Sequence, residues 1–229
     1  MNTKHKKPTL TKKQRHRLRV QQVRRQKIFL TCLFLLIVGC ILLRFSKFSG
    51  RQEEAHQINA ACEAYRDEVS SEAAQYDMSD YVDLILAVMM QESSGQGTDP
   101  MQSSEGAYNT RYPQQPNGIT DPSYSISCGI QELKYALDKA GCTGPTDLSK
   151  IRLALQAYNF GADSYFAYLE ENGQTVWTAQ SAQAFAQMAS GGTQRDEDDP
   201  LHDPAGPWDY GDQYYPDHVL RYYHLDNNS

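Results

Sequence analysis

Leu84-Ile85-Leu86-Ala87-Val88-Met89-Met90-Gln91-Glu92 is an apolar run that ends on an acid and is followed at once by Ser93-Ser94-Gly95. A run of this length with Ser79-Asp80 ahead of it predicts a buried helix over 80–92. Ser79 is expected to cap the free backbone N–H groups, and Ser94-Gly95 to release the chain. Glu92 then falls on the last turn of a core helix. Apolar surroundings disfavour its charged form and the negative end of the helix dipole repels an anion, so both push this carboxyl toward staying protonated near neutral pH.

Working outward, the patterns on either side are also helical. Ile58, Ala61, Cys62, Tyr65 and Val69 recur at three- and four-residue spacing and predict an amphipathic first helix over 56–76. Residues 95–124 lack apolar periodicity and carry Gly, Pro, Asn, Asp and Ser throughout, which predicts a long irregular segment of a length that is usually either functional or disordered. Helices are expected again over 125–139, 148–158, 162–172 and 179–188, begun by Ser125, by Thr146 or Asp147, and by Thr178. A polar loop over 190–209 is expected to wander in solvent, and an aromatic-rich helix from Tyr210 closes the fold. Strand signals are almost absent, so the fold class is mainly α, a single helical domain over 56–225.

Charge divides the chain. The whole carries a net charge of −6, yet residues 1–51 hold fourteen Lys and Arg and no acid, leaving eight basic side chains against all 28 acidic ones. Between basic leader and acidic domain, residues 28–43 carry no charge, and with Arg44 and Phe45 they predict a transmembrane helix over 28–45 whose flanking Lys27 and Arg44 reach the two interfaces. The positive-inside rule makes 1–27 a cytoplasmic segment, 46–55 a linker and 56–225 an extracellular domain. A cleaved signal peptide is the weaker reading, because the leader is long and no small-x-small cleavage pattern follows. Topology also explains the basic leader more simply than nucleic-acid binding does, so no specific nucleic acid is expected as a partner.

Cys62, Cys128 and Cys142 lie outside the span. At most one bridge can form among them. A Cys128–Cys142 disulfide is the preferred pairing, with three reduced cysteines as the alternative.

Three short stretches carry chemistry in a fixed order: Gln91-Glu92-Ser93, then Ser127-Cys128-Gly129-Ile130-Gln131, then Leu155-Gln156-Ala157-Tyr158-Asn159-Phe160-Gly161. Glu-Ser, Gly-apolar-Gln and Ala-Tyr-Asn-x-Gly is the motif order of the goose-type lysozyme and soluble lytic transglycosylase superfamily, which this sequence resembles. With Asp99-Pro100-Met101-Gln102-Ser103-Ser104-Glu105-Gly106 and Tyr210-Gly211-Asp212, the match is similar to the lysozyme-like domain of Gram-positive and conjugative-element cell-wall hydrolases. The resemblance implies a lysozyme-like helical domain and a peptidoglycan muramidase that cleaves the β-1,4 bond between N-acetylmuramic acid and N-acetylglucosamine. It implies Glu92 as catalytic acid, with Ser93, Gln131, Tyr158 and Asn159 binding glycan. Expected partners are peptidoglycan glycan strands, the cytoplasmic membrane, and a conjugation or secretion complex that needs the wall opened; no cofactor or metal is implied.

Glycosidic hydrolysis normally takes a second carboxylate, and Asp99, Glu105 and Asp121 on the long loop are the candidates. Asp99-Pro100 and Asp121-Pro122 are also ordinary turn starters. Without a second carboxylate the substrate's own groups would assist and a 1,6-anhydro product would form. A non-catalytic, peptidoglycan-binding assembly factor is the alternative function. Asp196 to Asp199 reads as solvated like charges rather than an ion site. Relatives often continue into a papain-like cysteine peptidase, which 229 residues leave no room for, and nothing in the sequence places Cys128 beside His218 or His224 as such a pair.

Overall fold

The structure, a computed structural model, describes residues 56–224. The basic segment, the 28–45 span and the 46–55 linker lie outside the described residues, as does residue 225. Within them the chain is helical, with one isolated bridge between Gln194 and Trp208. No helix among the described residues is long and apolar enough to cross a membrane.

Among the described residues nine α-helices follow in order: α1 (Ala60–Glu63), α2 (Arg66–Gln75), α3 (Val82–Ser93), α4 (Pro122–Ala140), α5 (Leu148–Phe160), α6 (Ala162–Glu171), α7 (Ala179–Ala189), α8 (His202–Ala205) and α9 (Tyr215–Leu220). Helix α3 is the apolar run. Leu84, Ile85, Leu86, Ala87, Val88 and Met89 are buried in succession, so every face of this helix is covered. It packs against α1 and α2 on one side and α9 on the other, while α5 packs against α4, α6 and α9.

Several boundaries follow from caps. Asp121 accepts the Ser123 N–H and Pro122 occupies the first turn, so α4 begins at Pro122 and Ser125 lies buried inside it. Asp147 accepts the Lys150 N–H at the start of α5, and Thr178 with Ser181 forms a capping box on α7. Ser79 does not cap α3: it belongs to a 3-10 turn (Ser79–Tyr81), and the helix starts from Tyr81 with no side-chain cap. The expected first helix is broken at Ala64-Tyr65 into α1 and α2. The expected last helix is only α9, because Trp208 to Tyr214 are occupied in turns.

The Cys128–Cys142 bridge is absent, and Cys62, Cys128 and Cys142 are all free. Helix α4 continues unbroken from Cys128 to Ala140 instead of folding back, which at about 1.5 Å per residue puts its C-terminal end roughly 18 Å along the axis from Cys128. The two ends of the described unit meet, His224 Nε2 lying 3.2 Å from the His56 carbonyl.

Candidate active site

Glu92 reaches a groove through the geometry at the end of α3. Ser94 takes the left-handed conformation (φ 55°) and returns its N–H to the Met90 carbonyl, turning the chain sharply away. Asn59 Nδ2 holds the Ser94 carbonyl at 3.0 Å, and Ser93 Oγ donates to the Pro100 carbonyl at 2.8 Å while accepting the Gly95 N–H at 3.1 Å. Ser93 thus joins α3 to the loop and is not among the residues lining the groove.

The loop from Asp99 to Asp121 is ordered around one buried carboxylate. Asp99 accepts the Ser103 and Ser104 N–H groups at 3.1 and 3.2 Å, the Ser125 hydroxyl at 2.6 Å and the Ser104 hydroxyl. It is 1% exposed. Each Asp99 oxygen accepts two of these donors, so the side chain is committed to holding the loop. The same serines reach further: Ser103 Oγ donates to the Ser125 carbonyl, Ser104 Oγ receives the Ile119 N–H, and Ser125 Oγ receives the Met101 N–H. Met101 then presses on Gly129 of α4, where an added Cβ would lie 2.6 Å from Met101 Cβ.

This loop and the start of α6 enclose a cavity of about 700 Å³ with Glu92, Glu105, Glu132, Tyr158, Asn159 and Tyr210 in its lining. Tyr158 donates to the Met101 carbonyl at 2.9 Å and stacks on Tyr215, whose hydroxyl donates to Glu92 Oε1. Burial pushes both phenols well above their ordinary range, so they act as neutral donors. Asn159 Oδ1 accepts the Asp212 N–H at 2.8 Å, and Asp212 in turn holds His218 Nδ1 at 2.5 Å. Gln156, fully buried beneath them, donates to the Asp212 carbonyl at 2.8 Å.

Two carboxyls in this cavity titrate near neutrality. Burial raises Glu92 to about 7; the Tyr215 hydroxyl works against it, and the charges of Asp212, Asp99 and Glu132 work with it. Burial likewise raises Glu132 to about 7, opposed by the backbone N–H groups of Ala107 and Tyr108 and assisted by Asp99. Glu132 fits only because the facing residue is Gly106: a Cβ there would lie 1.5 Å from Glu132 Oε1. A proton donor and a carboxylate in one groove is the equipment of acid–base chemistry on a glycosidic bond.

Glu132 is absent from the sequence reading, which chose its neighbour Gln131. Successive helical residues are about 100° apart, so Glu132 shares the face of Gly129, where the loop lands, and Gln131 does not. Gln131 donates to the Ser127 carbonyl at 3.1 Å and lines a second cavity, outside the Glu92 groove. Of the three carboxylates read as candidates, Glu105 lines the groove from an exposed position, whereas Asp121 is the N-cap of α4 and faces the second cavity. Asp196 to Asp198 are exposed. The neighbouring Arg195, however, is buried and donates to the carbonyls of Gly206 at 2.6 Å, Gly211 at 2.7 Å and Trp208, so the 190–209 loop is clasped rather than wandering.

Known proteins resemble the chain in sequence and in structure. The chain is 36% identical over 173 residues to the bifunctional muramidase/DL-endopeptidase CwlT of Bacillus subtilis, covering 76% of this chain and 43% of that protein. It is 40% identical over 111 residues to the uncharacterized membrane protein YocA of the same organism, covering 48% of this chain and 45% of that one. The chain thus spans about half the length, or less, of these relatives. A crystal structure of an NLP/P60-family, lipoprotein-like protein from Staphylococcus aureus superposes with a TM-score of 0.61 at 28% identity, over 76% of this chain and 56% of that one. Residues 60–223 match the lysozyme-like family, and the chain belongs to it.

Proposed function

We propose that this protein is a membrane-anchored peptidoglycan muramidase that cleaves the β-1,4 bond between N-acetylmuramic acid and N-acetylglucosamine, with Glu92 as general acid. The observation that carries the proposal is the pair Glu92 and Glu132, both raised to about 7 in one groove. With both raised to about 7, each carboxyl is partly protonated near neutral pH, so a neutral acid and an ionised carboxylate can stand in the same groove. Glu92, kept protonated by burial at an apolar helix end, gives its proton to the departing glycosidic oxygen. Glu132, whose anion is favoured by two backbone N–H groups, offsets the positive charge that develops on the sugar and receives the proton of the attacking water. The muramidase activity named for CwlT supports the same reading.

Anchoring rests on the uncharged 28–43 stretch and the basic residues before it, and the description of YocA as a membrane protein is in keeping with it. The catalytic domain would then face the wall, where local cleavage makes room for a secretion or conjugation apparatus.

Glu92→Gln is expected to reduce muropeptide release from purified sacculi at least 100-fold, the lower range for loss of a general acid. Mass spectrometry of the wild-type digest is expected to give reducing ends. Undiminished release by the variant would defeat the assignment of Glu92, anhydro ends would remove Glu132 from the reaction, and retention on sacculi without any release would leave a binding protein.

A further inference from the structure

The second cavity, about 530 Å³, shares a wall with the Glu92 groove: Ala107 and Tyr108 line both. Its other walls are aromatic and hydrogen-bonding, with Tyr76, Tyr124, Thr110 and Gln131 around Arg111. Arg111 is exposed and lies 4.5 Å from the Tyr124 ring centroid, yet it takes part in none of the ion pairs among the described residues. Asp121 in the same cavity accepts the Ser123 N–H with one oxygen and makes no ion pair with Arg111. The shared wall is fixed, since Tyr124 donates to the Tyr108 carbonyl at 3.2 Å and accepts the Thr110 N–H at 3.0 Å.

The charges of the two cavities differ: Arg111 is balanced by Asp121 in one, while the other holds acids alone. No Lys or Arg lines the Glu92 groove, whose ionisable acids are Glu92, Glu105, Glu132 and Asp163. Arg111 is the only cation lining either. A glycan strand is neutral along its sugars, but every muramic acid carries a peptide with free carboxylates. An acidic groove repels those carboxylates, and a guanidinium one wall away attracts them.

We propose that the Arg111 cavity is a subsite for the stem peptide of the muramic acid held in the adjoining groove, with Arg111 engaging a peptide carboxylate and Tyr76, Tyr108 and Gln131 bordering the peptide backbone. The inference rests on the muramidase reading for what fills the groove. The peptide is favoured over a separate wall anion because its attachment to the bound sugar supplies a high effective concentration.

Binding of soluble muramic-acid disaccharides to the full chain tests this apart from turnover. Three ligands are compared by titration: the disaccharide alone, the disaccharide with its peptide, and the same peptide with its carboxylates amidated. In the wild type the peptide is expected to tighten binding about tenfold and amidation to remove that gain, the scale of one charge-assisted contact. Arg111→Gln is expected to lose the gain while keeping the affinity for the disaccharide alone, and Arg111→Lys to restore part of it. A peptide that adds nothing, or adds as much in Arg111→Gln as in the wild type, overturns the subsite. Failure of the muramidase reading is distinguished by sacculi: wild-type protein that binds the peptide through Arg111 but releases no muropeptide keeps the subsite and loses the enzyme.

Discussion

The two irregular segments of this domain are organised by opposite means. The 99–121 loop is gathered around a buried anion, Asp99, that accepts four hydrogen bonds from neutral donors. The 190–214 segment is gathered around a buried cation, Arg195, that donates to three carbonyls. Neither charge has an ionic partner among the described residues. Each is solvated by backbone and hydroxyl dipoles instead of water, which is what lets a segment without regular structure hold one shape. The difference lies in where the charge is felt. Asp99 raises both carboxyls of the groove, whereas Arg195 is not among the causes of either shift. One loop therefore sets shape and acidity, and the other sets shape.

The largest effect that tests this contrast comes from Asp99→Asn. Losing charge-assisted bonds at a buried site is expected to cost roughly 3 kcal/mol or more, read as a lower midpoint in chemical denaturation. The pH dependence changes as well. Glu92 and Glu132 have folded values of about 7 against an ordinary 4.5, so the folded protein holds protons that the unfolded chain has released. Stability is full below about 4.5 and falls as pH rises through about 7. Removing the Asp99 charge lowers both folded values, so the basic limb of the pH–rate profile moves to lower pH and the fall in stability becomes shallower. An unmoved limb would show that Asp99 acts through shape alone.

Next in size is Gly106→Ala, which pushes a methyl group into Glu132 Oε1. Turnover on sacculi is expected to drop about 100-fold. The thermal midpoint is expected to move little, because Gly106 is not buried. Full activity would free Glu132 of any role in the reaction.

The smallest effect is expected from Arg195→Gln. Uncovering buried carbonyls costs about 1–3 kcal/mol. Below the shifted melting point, the basic limb of the pH–rate profile should stay in place. A limb that moves would mean that both loops tune the acid, erasing the difference between them.

What the sequence made legible was local. The apolar period around Leu84 to Met89, the Ser94-Gly95 exit, the caps at Asp147 and Thr178, and the protonated character of Glu92 all depend on residues within a few turns of one another. Glu132 depends on a meeting between α4 and the backbone of Gly106 to Tyr108, which no periodicity records. Gly129 was a usable signal: a helical glycine marks a close approach, and Glu132, three residues on, shares its face. Asp99 and Asp121 were noticed as turn starters beside prolines, but only the fold reveals that one is saturated by serines and the other caps a helix. The buried Arg195 was hidden by the run of acids after it.

The apposed ends of the described unit have a consequence for evolution. With His56 and His224 in contact, the polypeptide enters and leaves at one point, and the groove is built from the residues between. A unit of this kind can be spliced into a longer chain, or have its ends joined and be reopened elsewhere, with little disturbance to its interior. That portability suits a family in which a stretch of this size aligns to 43% of a longer protein, CwlT.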